Sequence, residues 1–411
     1  MTKLITISDN FDAFNPTQET EFDKILSRRG FLKGTASFGA SAFVIATGLP
    51  TGSALASTRS GLTFKPVSAN SRDTITVPEG FNVQVVFRWG DPLHSDAPEF
   101  DHATLGSAET QVLAVGDNND GMDIFTVDGR TVLVLNNEFT NIEIMFGNRQ
   151  TKSPESDDDV NKGKAAHGLT VVELKEDSEG WRIVKDSAFN RRITPDTECS
   201  AVGSAAGSEL LKTTQDPSGK KILGTFNNCG NGKTPWGTYL ACEENVNGYF
   251  SSNLGANFKQ NVQEKRYGIA KNGKDWGYKW AQTDTRFDVS IEPHEPNRHG
   301  WVLEVDPTGQ HIPKKLTALG RFKHENAELV IAANGHVVVY LGDDERGEFL
   351  YRFVSRDKYY SDKENTELLH EGELFAAKFH DDGTGEWISL KEAGMKDDES
   401  LIFARLAATK V

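Results

Sequence analysis

An all-β fold is what this sequence of 411 residues predicts, and three observations carry the prediction. Short β-branched or aromatic runs recur along the chain past residue 60. Gly, Asp and Asn punctuate those runs as turn residues do. Long apolar stripes at the 3.6-residue helical period are scarce. Many short antiparallel strands at regular spacing belong to a sandwich, a barrel or a propeller, and no clean fixed-period repeat selects among them.

In chain order, the first segment is an address. Residues 27–33 read Ser-Arg-Arg-Gly-Phe-Leu-Lys, with a weakly apolar small-residue run from Gly34 to about Leu49 and then Ala54-Leu55-Ala56. Adjacent arginines (Arg28 and Arg29), a short apolar core and an A-x-A site make a twin-arginine export signal over residues 1–56. The run falls short of the ~20 apolar residues a spanning helix needs. The expected mature chain, 57–411, is exported by the twin-arginine machinery, has no membrane span, and works in the periplasm or outside the cell.

Strands are expected at 82–89, 131–135, 169–174, 300–305, 336–341, 348–354 and 373–379. Turns fall at Asp128-Gly129, Asp306-Pro-Thr-Gly309, Asn334-Gly335 and Asp382-Gly383. Residues 151–164 and 356–370 read as polar insertions at loop tips, with Asp157–Asp159 as solvated loop.

Composition narrows the function. Hydrophobic residues make up 37% and charged ones 26%, enough for a buried core. The net charge of −15 argues against nucleic acid as a partner, which needs a basic face. An excess of carboxylates suits cations. Three cysteines, Cys199, Cys229 and Cys242, are no disulfide framework; one pair could bridge, leaving a thiol that is either a small hydrophobe or a metal ligand.

Polar residues gather where strands should end: Asp117–Asp120, Asn136–Asn141, Asn227–Thr238 with Cys242–Asn245, Phe322–Glu325 and Gly342–Arg346. These supply carboxylate and amide oxygens and one thiolate. Calcium takes six to eight oxygens, whereas a thiolate selects a softer transition metal. Glu243 and Glu244 point to opposite faces of an ideal strand, so both serve one site only if the strand frays there.

The phrases Asn118-Asn-Asp120, Leu135-Asn-Asn-Glu138, Ala166-His-Gly-Leu-Thr-Val-Val-Glu173, Asn227-Asn-Cys229, Thr234-Pro-Trp-Gly-Thr238, Glu243-Glu-Asn245, Gly320-Arg-Phe-Lys-His-Glu325 and Gly342-Asp-Asp-Glu-Arg346 resemble, in order, the PhoX family of alkaline phosphatases. The resemblance implies a six-bladed β-propeller, a monomer when its ring is complete, that hydrolyses phosphomonoesters at a central iron and calcium site. By the same resemblance Cys229 is an iron ligand, and Glu244 (Glu243 being the alternative) and Glu325 hold the metal cluster. Glu138, Asn119, Asp120, Asp343 and Asp344 are implied as calcium ligands or their supports, and Arg346 as a contact to phosphate oxygen. Asp120 and Asp343 also suit turn caps, and Arg346 a surface pairing with Glu345 or Glu348. Family members continue past the Ala408-Thr-Lys phrase, so the chain is expected to lack the closing blades. An inactive, calcium-stabilised propeller fragment is therefore the alternative. A lactonase- or phytase-like propeller hydrolase is a further rival, one that would not need Cys229.

Overall fold

The computed structural model describes residues 64–411; the export signal lies outside the described residues. The chain divides into two compact units, Met1–Val83 and Gln84–Val411. Within the described part of the first, Phe64 and Phe81 meet edge-on at 5.3 Å, and residues 64–83 form no helix or strand.

The second unit is mostly β-sheet, in three sheets. The first comprises β1 (Asn119–Val127), β2 (Arg130–Asn137), β3 (Gly168–Asp177) and β4 (Gly180–Ile183) in that order, with β5 (Arg191–Ile193) also pairing β3. The second comprises β6 (Glu198–Val202), β7 (Lys221–Leu223), β8 (Asn228–Lys233), β9 (Tyr239–Glu243), β10 (Val302–Val305) and β11 (Lys314–Leu316), in the order β7-β6-β11-β10-β9-β8. The third is a meander of β12 (His324–Ile331), β13 (His336–Asp343), β14 (Leu350–Lys358), β15 (Gly372–Phe379) and β16 (Gly385–Ser389). Pairing is antiparallel except between β11 and β6. Asp128 and Gly129, at φ +49° and +73°, turn β1 into β2, the left-handed pair that a two-residue hairpin requires.

β2 shows why these runs are strands: Val132, Leu133, Val134 and Leu135 are all buried, because both faces of this central strand are covered. Val132 and Val134 pack with Tyr239, Leu303 and Val305 of the second sheet, while Leu133 and Leu135 pack with Leu93 and Val115.

Two expectations need correcting. Residues 82–89 hold no strand; the Gln84 side chain instead makes two hydrogen bonds to the backbone of Trp181, at 2.8 and 2.9 Å, in place of a backbone ladder. Asp157–Asp159 begins a helix, Asp157–Ala165, rather than a solvated loop. Ser156 and Asp159 cap its N-terminus reciprocally, and the buried Asp159 carboxylate takes a 2.6 Å bond from Arg149. None of the three cysteines forms a disulfide. Between β9 and β10 the chain runs through short 3₁₀ turns around an aromatic core in which Tyr249 and Tyr278 stack at 4.3 Å and Trp280 and Phe287 meet edge-on. No described helix is long and apolar enough to cross a membrane.

Candidate metal centre

The three sheets present one edge strand each, β1, β8 and β12, and the three edges converge. Glycines permit it: a Cβ on Gly121 would lie 2.8 Å from the Cys229 carbonyl oxygen, one on Gly230 2.2 Å from that of Glu325, and one on Gly232 2.0 Å from that of Ala327. Any larger residue would force these strands apart.

Each edge strand breaks its register at the convergence. The irregularities lie between Asn119 and Met122, between Asn228 and Asn231, and between His324 and Ala327. Inside them sit Asp120, Cys229 and Glu325, one donor per bulge. Bulges re-aim side chains in this way at active sites.

The partner strands repeat the arrangement. Asn119 pairs Asn137, Asn228 pairs Glu243, and His324 pairs Asp343, each at the end of its strand. The next residues are Glu138, Glu244 and Asp344. Their backbone N–H groups donate to the carbonyls of Asn118 (3.0 Å), Asn227 (2.9 Å) and Lys323 (3.0 Å), each two residues before a bulge donor. One local structure thus occurs three times, giving the donor pairs Asp120–Glu138, Cys229–Glu244 and Glu325–Asp344. Asn118 and Asn227 are left-handed, at φ +43° and +51°, a conformation asparagine tolerates.

Donor atoms of Asp120, Glu138 and Cys229 lie within 4.8 Å of one another, as do those of Cys229, Glu244 and Glu325, so Cys229 belongs to both groups. Its Sγ is 3.4 Å from Glu325 Oε2. Burial and then the neighbouring carboxylates push Glu138 up to about 8, with Asp120 and Glu325 contributing most among the carboxylates. Burial likewise takes Glu244 to about 8, against a lowering pull from Lys323. The Cys229 thiol is raised by burial and by Glu138, Asp120 and Glu325. Glu244 Oε1 is buried without a hydrogen-bond partner. Mutual repulsion and an orphaned carboxylate oxygen are what a cation at this point relieves, so the donor set fits metal: oxygens for a hard ion and a thiolate for a softer one.

The remaining candidates stand elsewhere. Glu243 faces away from the cluster, as strand alternation requires. Its carboxylate accepts from Lys315 Nζ (2.6 Å) and the N–H groups of Gly300 and Trp301 (2.9 and 3.0 Å). Burial raises Glu243, but Lys315 beside it outweighs that and holds the acid down to about 2. The alternative ligand is thus spent on the interior. The Asp343 side chain is fully buried with Arg405 Nε 3.0 Å from its Oδ2; burial nevertheless keeps this acid up at about 7. Asn119 accepts from Asn137 Nδ2 at 2.8 Å. Arg346 is exposed in the turn after Asp344, its N–H donating to Glu345. Glu345 pairs with Lys323, and Glu348 with Arg266 and Arg405.

A family model described as Alkaline phosphatase PhoX matches residues 62–411. The chain belongs to the PhoX family. A solved structure, Pseudomonas fluorescens PhoX in complex with vanadate, a transition state analogue, is 44% identical with a TM-score of 0.80. The match covers 85% of this chain and 63% of that one, so the chain spans less than two thirds of that PhoX. No curated protein matches the chain.

Sequence reading alone gave Asn136 no role and missed two further residues, Lys315 and Arg405. Asn136, fully buried, donates to the Cys229 and Gly230 carbonyls at 2.6 and 2.9 Å and clamps the thiol-bearing bulge. Lys315 and Arg405 come from distant segments. The one local signal for the bulges is that Asp120, Cys229 and Glu325 are each followed by Gly or Asn.

Proposed function

We propose that this chain hydrolyses phosphomonoesters at a metal centre held by Asp120, Glu138, Cys229, Glu244, Glu325 and Asp344. The observation that carries the reading is the threefold convergence of donors around Cys229, with a buried Glu244 oxygen left unpartnered. The vanadate bound by the 44% identical PhoX is an oxyanion of phosphoryl shape, which supports the same chemistry here.

Iron at Cys229 and calcium among the carboxylates would supply positive charge for the phosphoryl oxygens and Lewis acidity for the attacking and leaving oxygens. The chain's own residues hold the centre and orient the ester. Cys229 gives the soft donor that calcium alone does not need. Glu244 and Glu138, partly shielded from water, keep their oxygens on the cluster. The Arg346 guanidinium follows Asp344 closely in sequence and has the geometry to take two phosphate oxygens. At net −15 the protein repels anionic substrate at long range, so local positive charge has to dominate within a Debye length of about 8 Å.

The wider setting is a six-bladed propeller, exported through the Arg28-Arg29 signal to act outside the cytoplasm. The mostly β architecture and the family membership support that setting. Hydrolysis of p-nitrophenyl phosphate by the chain loaded with iron and calcium, abolished by chelation, is the expected result. A metal-loaded chain without phosphatase activity would sink the reading. Replacing Arg28 and Arg29 with Lys should abolish export; an exported double variant rules out the twin-arginine route.

A further inference from the structure

The residue before each strand-end donor is turned inward and gripped by a partner. Asn137 Oδ1 accepts from the Thr170 hydroxyl at 2.6 Å, Glu243 is held by Lys315, and Asp343 by Arg405. Successive strand residues face opposite ways, so gripping one aims the next. We propose that Lys315 and Arg405 are positioning residues for the metal centre, acting through Glu243 on Glu244 and through Asp343 on Asp344. The proposal rests on the metal reading of the cluster given above.

Lys315 is the stronger case. Its side chain and that of Glu243 are both fully buried. Nζ also donates to the Arg298 carbonyl (3.1 Å) and meets His299 Nδ1 at 3.0 Å. With Nδ1 accepting from the lysine, His299 carries its proton on Nε2, 3.2 Å from Glu295 Oε1. Every direction open to this ammonium is filled by an acceptor, so Glu243 has one position. Its other oxygen ties Gly300 and Trp301 to the same point, while Glu244 N–H is tied to Asn227. The peptide between the two glutamates is fixed from both sides. Arg405 spans the third-sheet turn that carries Asp344 and Arg346 by charge: its Nε lies 3.0 Å from Asp343 Oδ2 as an ion pair without a hydrogen bond, and its Nη2 lies 3.1 Å from Glu348. Neither cation is near enough to solvent for an exposed surface role, both side chains being at most 2% exposed.

The test uses the full chain, with Ca²⁺ affinity by calorimetric titration, bound iron by elemental analysis, and the thiolate-to-iron absorption band. Lys315→Met and Arg405→Met should each weaken Ca²⁺ binding about ten- to hundredfold, as loss of a ligand's supporting partner does, and Lys315→Met should shift the band. Arg149→Met, which strips a buried carboxylate remote from the centre, should lower the melting temperature and leave both readouts alone. Equal loss of affinity in Arg149→Met would reduce the effect to general destabilisation and overturn the proposal. In combination with Glu243→Gln, Lys315→Met should add no further loss, because both act on one peptide; multiplying losses would overturn it. Should Lys315→Met not fold, Glu243→Gln alone keeps an acceptor for Gly300 and Trp301, and unchanged affinity in it would count equally against the idea. A wild-type chain that binds neither metal would overturn the metal reading itself, whereas a metal-binding wild type matched by Lys315→Met overturns only the positioning role.

Discussion

At the scale of single residues, environment separates side chains of the same type. Cys199 is fully buried in the core between the first and second sheets, where burial pushes its thiol up to about 12; it is a small hydrophobe. Cys229 lies among carboxylates in a bulge. Cys229→Ser is expected to lose bound iron, and Cys199→Ser to retain it; equal iron by elemental analysis in the two would count against thiolate ligation. The same contrast divides Glu325 from Glu328. Both are exposed, but Glu325 sits in the bulge 3.4 Å from the thiol, while Glu328 stands opposite Tyr340 on a regular stretch of β12. Loss of a first ligand should exceed the loss seen for supporting groups, so Glu325→Gln should cut kcat/KM by more than about tenfold. Glu328→Gln should leave it near wild type, and comparable losses would refute the assignment.

At the scale of elements, close approach of strands and the capping of one helix carry the argument. A methyl on Gly232 would meet the Ala327 carbonyl at 2.0 Å, so Gly232→Ala has to push β8 off β12. The expected cost is about 1–3 kcal/mol of stability, as for overpacking elsewhere, with weaker metal binding because Cys229 shares the strand. Wild-type stability and metal content in that variant would show that the strands are not in contact there. The helix Asp157–Ala165 depends on Asp159, whose acid burial would raise but Arg149 and the Glu155 N–H hold down to about 2, against 3.8 when unstructured. A depressed folded pKa means that the unfolded chain takes up the proton first. The stabilisation is complete above roughly pH 5 and disappears as pH falls toward 2. Arg149→Met should shift the onset of acid unfolding of this region to higher pH, measured by circular dichroism.

At the scale of the molecule, the clustered donors come from all three sheets, Asp120 and Glu138 with the first, Cys229 and Glu244 with the second and Glu325 with the third, so bound metal would tie the sheets together. Calcium at a hundred times its Kd should stabilise the fold by about 2.7 kcal/mol, and chelation should lower Tm by several degrees. A Tm indifferent to chelator would mean that the sheets hold together without the centre. A second global control is His167, fully buried beneath the aromatic core, with Nδ1 2.7 Å from the Gly163 carbonyl and Nε2 3.0 Å from the Tyr249 hydroxyl. Burial pushes it down to about 3 from 6.5, so it stays neutral when folded. Protonation of the unfolded chain drains stability progressively as pH drops below about 6.5. Denaturant melts between pH 7 and 5 should show that decline, and His167→Gln should flatten it.

Much of this was legible in the sequence, and the division has a physical cause. Strand runs such as 131–135 and 169–174 and the Asp-Gly and Asn-Gly turns follow from local chemistry: β-branched residues suit a pleated surface, and turn residues suit positive φ. Polar clusters at strand ends were legible in the same way, but the donors Asp120, Glu138, Cys229, Glu244 and Glu325 were singled out by the resemblance to the PhoX family. Local rules also stated that Glu243 and Glu244 face opposite ways. Which of them faces the cluster depended on Lys315, 72 residues beyond Glu243 in the pairing. The three acids that open the helix at 157–165 look solvated in sequence, and only Arg149 and the reciprocal cap make Asp159 an interior residue. The bulges left only the Gly or Asn after each donor as a trace, since a register break is a property of two strands together. The sequence by itself determined which side chains could serve a metal and where strands would end. Only the tertiary structure decided which of them meet, because convergence is set by three sheet edges, the glycines that let them touch, and buried cations supplied from far along the chain.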